Sequence, residues 1–149
     1  MTIREKVSDI IKKYKTRNPY ELAEALNVIL LIVPLKGVNG FYNYYKRNHI
    51  IYINEALSST DREIVLSHEL GHLFLHGKTN TIYLNTYTDV VTSRFEKEAD
   101  TFASELLISD DTILEYKDYT IEKLAKLVGV YPKHVKLKLE GYNKKITKR

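Results

Sequence analysis

The sequence predicts an α+β fold: a helix-rich single domain with a small β-sheet near its start. Apolar residues recur at helical spacing over most of the 149-residue chain. Short β-branched and aromatic runs cluster between residues 29 and 54. Strands gathered early and helices elsewhere make a segregated α+β arrangement rather than an alternating one.

Taken in order, residues 2–15 mix charges with aliphatics and read as an amphipathic helix, without the apolar core of a signal peptide. "NPYELAEALNV" opens a second helix, with Asn18 as N-cap and Pro19 at the first helical position, where a missing N–H costs nothing. "ILLIVPL" is short, β-branched and stopped by Pro34, as a strand would be. "GFYNYYKRNHIIYIN" reads as a hairpin turning around Lys46–Asn48. The next helix is expected to start at Thr60, where "TDRE" forms a capping box with Glu63, and to end near Gly77. "KTNTIYLNTYTDVVTS" is irregular or partly extended, and "RFEKEADTFASELLI" is strongly helical. "TIEKLAKLVGV" and "PKHVKLKLEG" make two closing helices, followed by a basic tail over about residues 143–149.

A chain of this length suits one domain, spanning 1–149, and buries about two-thirds of its unfolded surface. Its 44% hydrophobic and 28% charged residues are those of a globular protein. No apolar run approaches the roughly 20 residues that cross a bilayer, so no membrane association and a cytoplasmic location are expected. With no cysteine, any metal must be held by His, Asp or Glu. The net charge of +4 is uneven, with basic ends on an acidic middle. That pattern suits a solvated surface, and also contact with an acidic partner or nucleic acid.

One stretch needs a chemical reason. "IVLSHELGHLFLHG" places three histidines and a glutamate in an apolar segment, although ionisable groups are seldom buried without partners. Turning about 100° per residue from Ile64, His68 falls at about 40°, His72 at about 80° and Glu69 at about 140°. Leu66, Leu70, Leu73 and Phe74 occupy the opposite, packed side. Histidines one turn apart can reach a single ion, and Glu69 stands beside them to hold a water on it. This is the His-Glu-x-x-His arrangement of zinc hydrolases. His76 continues the same face but lies about 12 Å along the axis from His68, too far to share the ion. It is read as a surface histidine or one that supports the site from behind the ligands.

A catalytic zinc keeps three protein ligands and an open position. The acidic segment after the loop offers Glu96, Glu98, Asp100 and Glu105. Glu96 and Asp100 share one helical face, while Glu98 and Glu105 lie about 160–200° away. Glu96 is therefore the favoured third ligand, with Asp100 placed to accept the other ring N–H of a zinc histidine. The competing reading makes Ser93-x-x-Glu96 a capping box, which would occupy Glu96 and leave Glu98 as the ligand. The small residues Gly71, Ala99 and Ala103 would let the two helices approach closely.

"HELGHLFLH" followed by "FEKEADTFASELL" closely resembles the ImmA/IrrE metallopeptidases, which pair H-E-L-G-H with E-x-x-A-[ND]-x-F-A-x-x-L-L. The resemblance covers roughly residues 18–139. It implies a gluzincin-like zinc peptidase core with His68, His72 and Glu96 as zinc ligands and Glu69 as catalytic base. It also implies an intracellular regulatory protease, often of a mobile element, that cleaves a repressor encoded nearby. The family's usual "LLMP" is here "LLIS", which would alter the following turn.

Other readings start elsewhere in the chain. Helix, Gly129 turn and lysine-rich helix near the C-terminus resemble a helix-turn-helix, which would make the protein a DNA-binding regulator with a structural zinc. Val135, Leu137 and Leu139 oppose this, because much of that helix must then pack inward, and nucleic acid is not the expected partner. Closing the zinc structurally would need a fourth ligand, for which His49, His76 and His134 are the histidines available. A catalytically silent binding module would leave Glu69 dispensable. Tyr83 and Tyr87 are candidates to stabilise an oxyanion, with nothing in the sequence to choose between them.

Overall fold

The computed structural model describes residues 1–77 and 89–147, so Tyr83 and Tyr87 lie outside the described residues. Helix α1 (Ile3–Tyr14) is capped by Thr2, and α2 (Pro19–Ala25) by Asn18, whose side chain accepts from the backbone N–H groups of Tyr20 and Glu21. Three strands follow: β1 (Ile29–Val33), β2 (Gly40–Tyr45) and β3 (Asn48–Asn54). They form one sheet in the order β1-β3-β2, with β1 parallel and β2 antiparallel to β3. Lys46 and Arg47 turn the hairpin with φ of 50° and 66°, left-handed values that match the twist of the flanking strands.

Helices α3 (Ser59–Leu75) and α4 (Asp89–Leu107) cross in contact, and α5 (Asp110–Glu115), α6 (Ile121–Val128) and α7 (Pro132–Thr147) close the fold. The α+β architecture expected from the sequence is the one observed. Alternation on the strands turns Tyr42, Ile51 and Ile53 inward, where they meet Leu66 and Leu70 of α3 and Phe102 and Leu106 of α4, all fully buried. A second apolar cluster joins Ile64 and Ile108 to Ile113, Leu124, Val130 and Val135. Helix α3 is thus packed into both clusters, which fixes its rotation and the direction of its polar face.

Glycine matters at two close approaches. A Cβ on Gly40 would stand 2.6 Å from the Tyr52 carbonyl oxygen and 2.8 Å from Val65 Cγ1. On Gly71 it would stand 3.0 Å from Phe102 Cβ and 3.1 Å from Ala99 Cα, so Gly71 with Ala99 sets how closely α3 meets α4.

Three boundaries and one whole helix differ from expectation. Helix α3 is capped by Ser58 and not Thr60: Ser58 Oγ accepts from the Asp61 N–H at 3.1 Å. The chain leaves β3 through a tight turn, with Leu57 N–H donating to Asn54 O at 3.2 Å, so helical geometry is available two residues sooner. Helix α4 begins at Asp89 rather than Arg94, which puts Ser93 inside the helix. Helix α5 was not foreseen. Its cap is Ser109, the residue that stands where the family pattern has proline, and Ser109 Oγ accepts from the Thr112 N–H at 3.1 Å. Finally, α7 runs on to Thr147 and absorbs most of the expected basic tail, because Lys138 and Lys145 are drawn to Asp110 at 2.7 and 3.2 Å.

Candidate metal centre

The two-sided packing of α3 leaves His68 and His72 facing α4, with Glu69 beside His68. From α4, Glu96 places Oε2 2.9 Å from His68 Nε2 and Oε1 2.9 Å from His72 Nε2. One ligand atom from each of His68, His72 and Glu96 lies within 4.8 Å of the others. Two imidazole nitrogens and a carboxylate on one point fit a divalent ion such as zinc, which takes such donors at about 2.0–2.2 Å. Ser93, inside α4 and exposed, does not compete for Glu96. His72 is 1% exposed, whereas the Glu96 side chain is 45% exposed, so the cluster is rooted in the interior and open on the Glu96 side.

Glu69 is buried, and its Oε2 lies 4.0 Å from His68 Nε2. That puts a carboxylate beside the ligand atoms without making it one of them. Asp100, one turn along α4 from Glu96, places Oδ1 2.8 Å from His68 Nδ1, while Lys133 of α7 reaches its Oδ2 at 3.3 Å. His68 therefore has a carboxylate at each ring nitrogen.

The electrostatics follow from this. Burial opposes a charge on His68, but hydrogen bonds to Asp100 and Glu96 outweigh it and hold the ring's pKa up at about 10. Glu96 is likewise disfavoured as an anion by burial, yet the two imidazoles hold its carboxyl well below the usual carboxylate range. Asp100 is also lowered, by His68 and Lys133 acting against burial. Without an ion, a proton between His68 and its carboxylates supplies the positive charge that the anionic cluster needs. A metal would replace it.

The remaining histidines go elsewhere. His49 Nδ1 lies 2.7 Å from the Tyr42 hydroxyl on the hairpin. The buried His134 accepts from the Tyr131 N–H at Nδ1, 3.2 Å away. The His76 side chain is 4% exposed, meets His72 Nδ1 at 2.8 Å and Glu98 Oε1 at 3.2 Å, and stacks on Phe95. Among the described residues, none of these three joins the group that could hold an ion. Glu98 does not project simply to solvent, as its helical angle suggested, because the crossing of α3 and α4 brings His76 to it. Spacing alone carried half of this signal: His76 follows His72 by four residues. Glu105 is removed from the site altogether, pairing in the interior with Lys138 at 2.7 Å.

The helix pair that resembles a helix-turn-helix packs inward. Leu124, Ala125, Val130 and Val135 are buried, and Lys133, Lys138 and Lys145 are paired with Asp100, Glu105 and Asp110.

Comparison with known proteins agrees with this architecture. The sequence model described as the IrrE N-terminal-like domain matches residues 23–140. The chain is 43% identical over 131 residues to a Bacillus phage phi105 protein named uncharacterized immunity region protein 2, covering 86% of this chain and 83% of that one. It is 34% identical over 119 residues to metallopeptidase ImmA of Bacillus subtilis (strain 168), covering 78% of this chain and 69% of that one. The matched span agrees with the resemblance over roughly residues 18–139, and the chain belongs to the IrrE N-terminal-like domain family of peptidases.

Proposed function

We propose that this protein is an intracellular, cytoplasmic zinc endopeptidase that makes a limited cut in a regulatory protein, a DNA-binding repressor encoded nearby. The observation that carries the chemistry is the convergence of His68, His72 and Glu96 on one point, with the Glu69 carboxylate 4.0 Å from His68 Nε2. His68, His72 and Glu96 would hold a zinc ion, which when bound would act as a Lewis acid that acidifies water and polarises a carbonyl. Glu69 takes the proton of the attacking water and returns it to the leaving amine. Its burial strips the carboxylate of competing water and keeps it aimed at the ligand cluster. Asp100 holds the His68 ring so that Nε2 faces the ion.

The name of the phage relative, an immunity region protein, supports a regulatory substrate on mobile DNA. Among the described residues no helix is long and apolar enough to cross a membrane, which is compatible with a substrate in the same compartment. The paired lysines of α7 favour a structural role for that helix over DNA binding. The test is metal content: purified protein should carry about one zinc per chain, and Glu96→Gln should lose most of it, because two histidines rarely hold zinc alone. A Glu96→Gln protein that retains full zinc would overturn the ligand set.

A further inference from the structure

A line of polar contacts leads away from the ligand atoms through His72. Its Nδ1 lies 2.8 Å from Nδ1 of His76, and His76 Nε2 lies 3.2 Å from Glu98 Oε1. The His76 ring is almost fully enclosed and lies on Phe95, with centroids 4.1 Å apart and planes 24° from parallel. We propose that Glu98 and His76 form a positioning relay that sets the tautomer and orientation of His72 as a metal ligand. The proposal rests on the reading of His68, His72 and Glu96 as that metal's ligands.

Proton bookkeeping gives the relay its direction. An imidazole that offers Nε2 to an ion carries its single proton on Nδ1. Two Nδ1 atoms at 2.8 Å share one proton, so His72 donates and His76 accepts. The proton of His76 then sits on Nε2, where it faces the carboxylate of Glu98, an acceptor. Reversing the line would leave a bare lone pair of His76 against that carboxylate and put the proton of His72 on its ligand atom. The arrangement that satisfies Glu98 is therefore the one that frees His72 Nε2. The two ligand histidines are supported by different means: His68 by Asp100 directly, and His72 by Glu98 through a second imidazole.

A purely structural His76 would serve only as a flat ring on Phe95, and phenylalanine would replace it. Three variants separate the readings. His76→Phe keeps the ring and loses both nitrogens. His76→Asn keeps an acceptor near the Nδ1 position and loses the ring. Glu98→Leu removes the terminal acceptor at a side chain that is 38% exposed, where folding is little disturbed. The readouts are zinc affinity by chelator competition and the tautomer of His72 by long-range ¹H–¹⁵N NMR of the zinc-loaded protein. His76→Phe should bind zinc roughly 10–100-fold more weakly and lose the hydrogen-bonded Nδ1–H signal of His72. Glu98→Leu should move affinity the same way by a smaller factor, and His76→Asn should recover most of the loss. Should His76→Phe fail to fold, Glu98→Leu with an unchanged metal-free melting curve carries the test. Wild-type affinity and an unchanged His72 signal in the folded variants would overturn the relay, as would a His76→Asn protein as weak as His76→Phe. A wild-type chain that binds no zinc would overturn the ligand set together with the relay, whereas unchanged variants of a zinc-binding wild type would overturn the relay alone.

Discussion

Asp100 Oδ1 stands 2.8 Å from His68 Nδ1, on the opposite side of the ring from the Nε2 that faces Glu96. The contact crosses from α4 to α3, so it holds the His68 ring in orientation and ties together the two helices that build the candidate site. Asp100→Asn keeps the shape and an acceptor oxygen but loses the charge. We expect zinc affinity or turnover to fall roughly 10–100-fold, with folding retained. Chelator competition measures the first; affinity within twofold of wild type would contradict the role.

The helix crossing is itself a target. Gly71→Ala would place a methyl 3.0 Å from Phe102 Cβ and 3.1 Å from Ala99 Cα. Backbone and Cβ atoms cannot swing aside, so α3 and α4 must separate, at a cost of about 1–3 kcal/mol. Because His68 and His72 lie on one helix and Glu96 on the other, the same change should weaken metal binding. Thermal unfolding with and without zinc reads both effects, and an unchanged melting temperature would show that the crossing has slack.

Away from the site, α7 is anchored by charge. Lys138, 2% exposed, bonds Glu105 and Asp110 at 2.7 Å each, and Arg4 contacts the same two carboxylates. Burial disfavours the Asp110 anion, but Lys138, Arg4 and Lys145 hold its carboxyl well below the usual carboxylate range. A carboxyl whose folded pKa is depressed stabilises the fold above its unfolded pKa of about 3.9 and ceases to do so as pH falls towards the folded value. Stability should thus drop below about pH 4, and Asp110→Asn should flatten that acid limb. Denaturant titrations between neutral and acid pH check this; an acid limb identical in both proteins would contradict it.

The sequence was most informative where period and chemistry agreed. The His68–His72 spacing, the shared face of Glu96 and Asp100, the Asn18 cap and the hairpin all follow from local geometry, and the structure has each of these arrangements. Less visible were features that depend on where two helices cross. Glu98 lies away from Glu96 on a helical projection, yet His76 reaches it from α3. Ser93-x-x-Glu96 and Thr60-x-x-Glu63 both matched a capping pattern, but the helices had already begun, because upstream residues entered helical geometry first. Helix α5 escaped because six residues are too few to display a period, although Ser109 was visible as a departure from the family pattern.

The central claim is that Glu69 moves the proton in a metal-dependent peptide cleavage. It is tested most directly by incubating zinc-loaded wild type and Glu69→Gln with the repressor proposed as substrate, with casein as a control, and mapping products by mass spectrometry. Wild type should cut the repressor at one or very few sites and leave casein largely intact. Glu69→Gln, which cannot accept the proton, should hold zinc and cut nothing. Cleavage by Glu69→Gln at the wild-type rate would contradict the account.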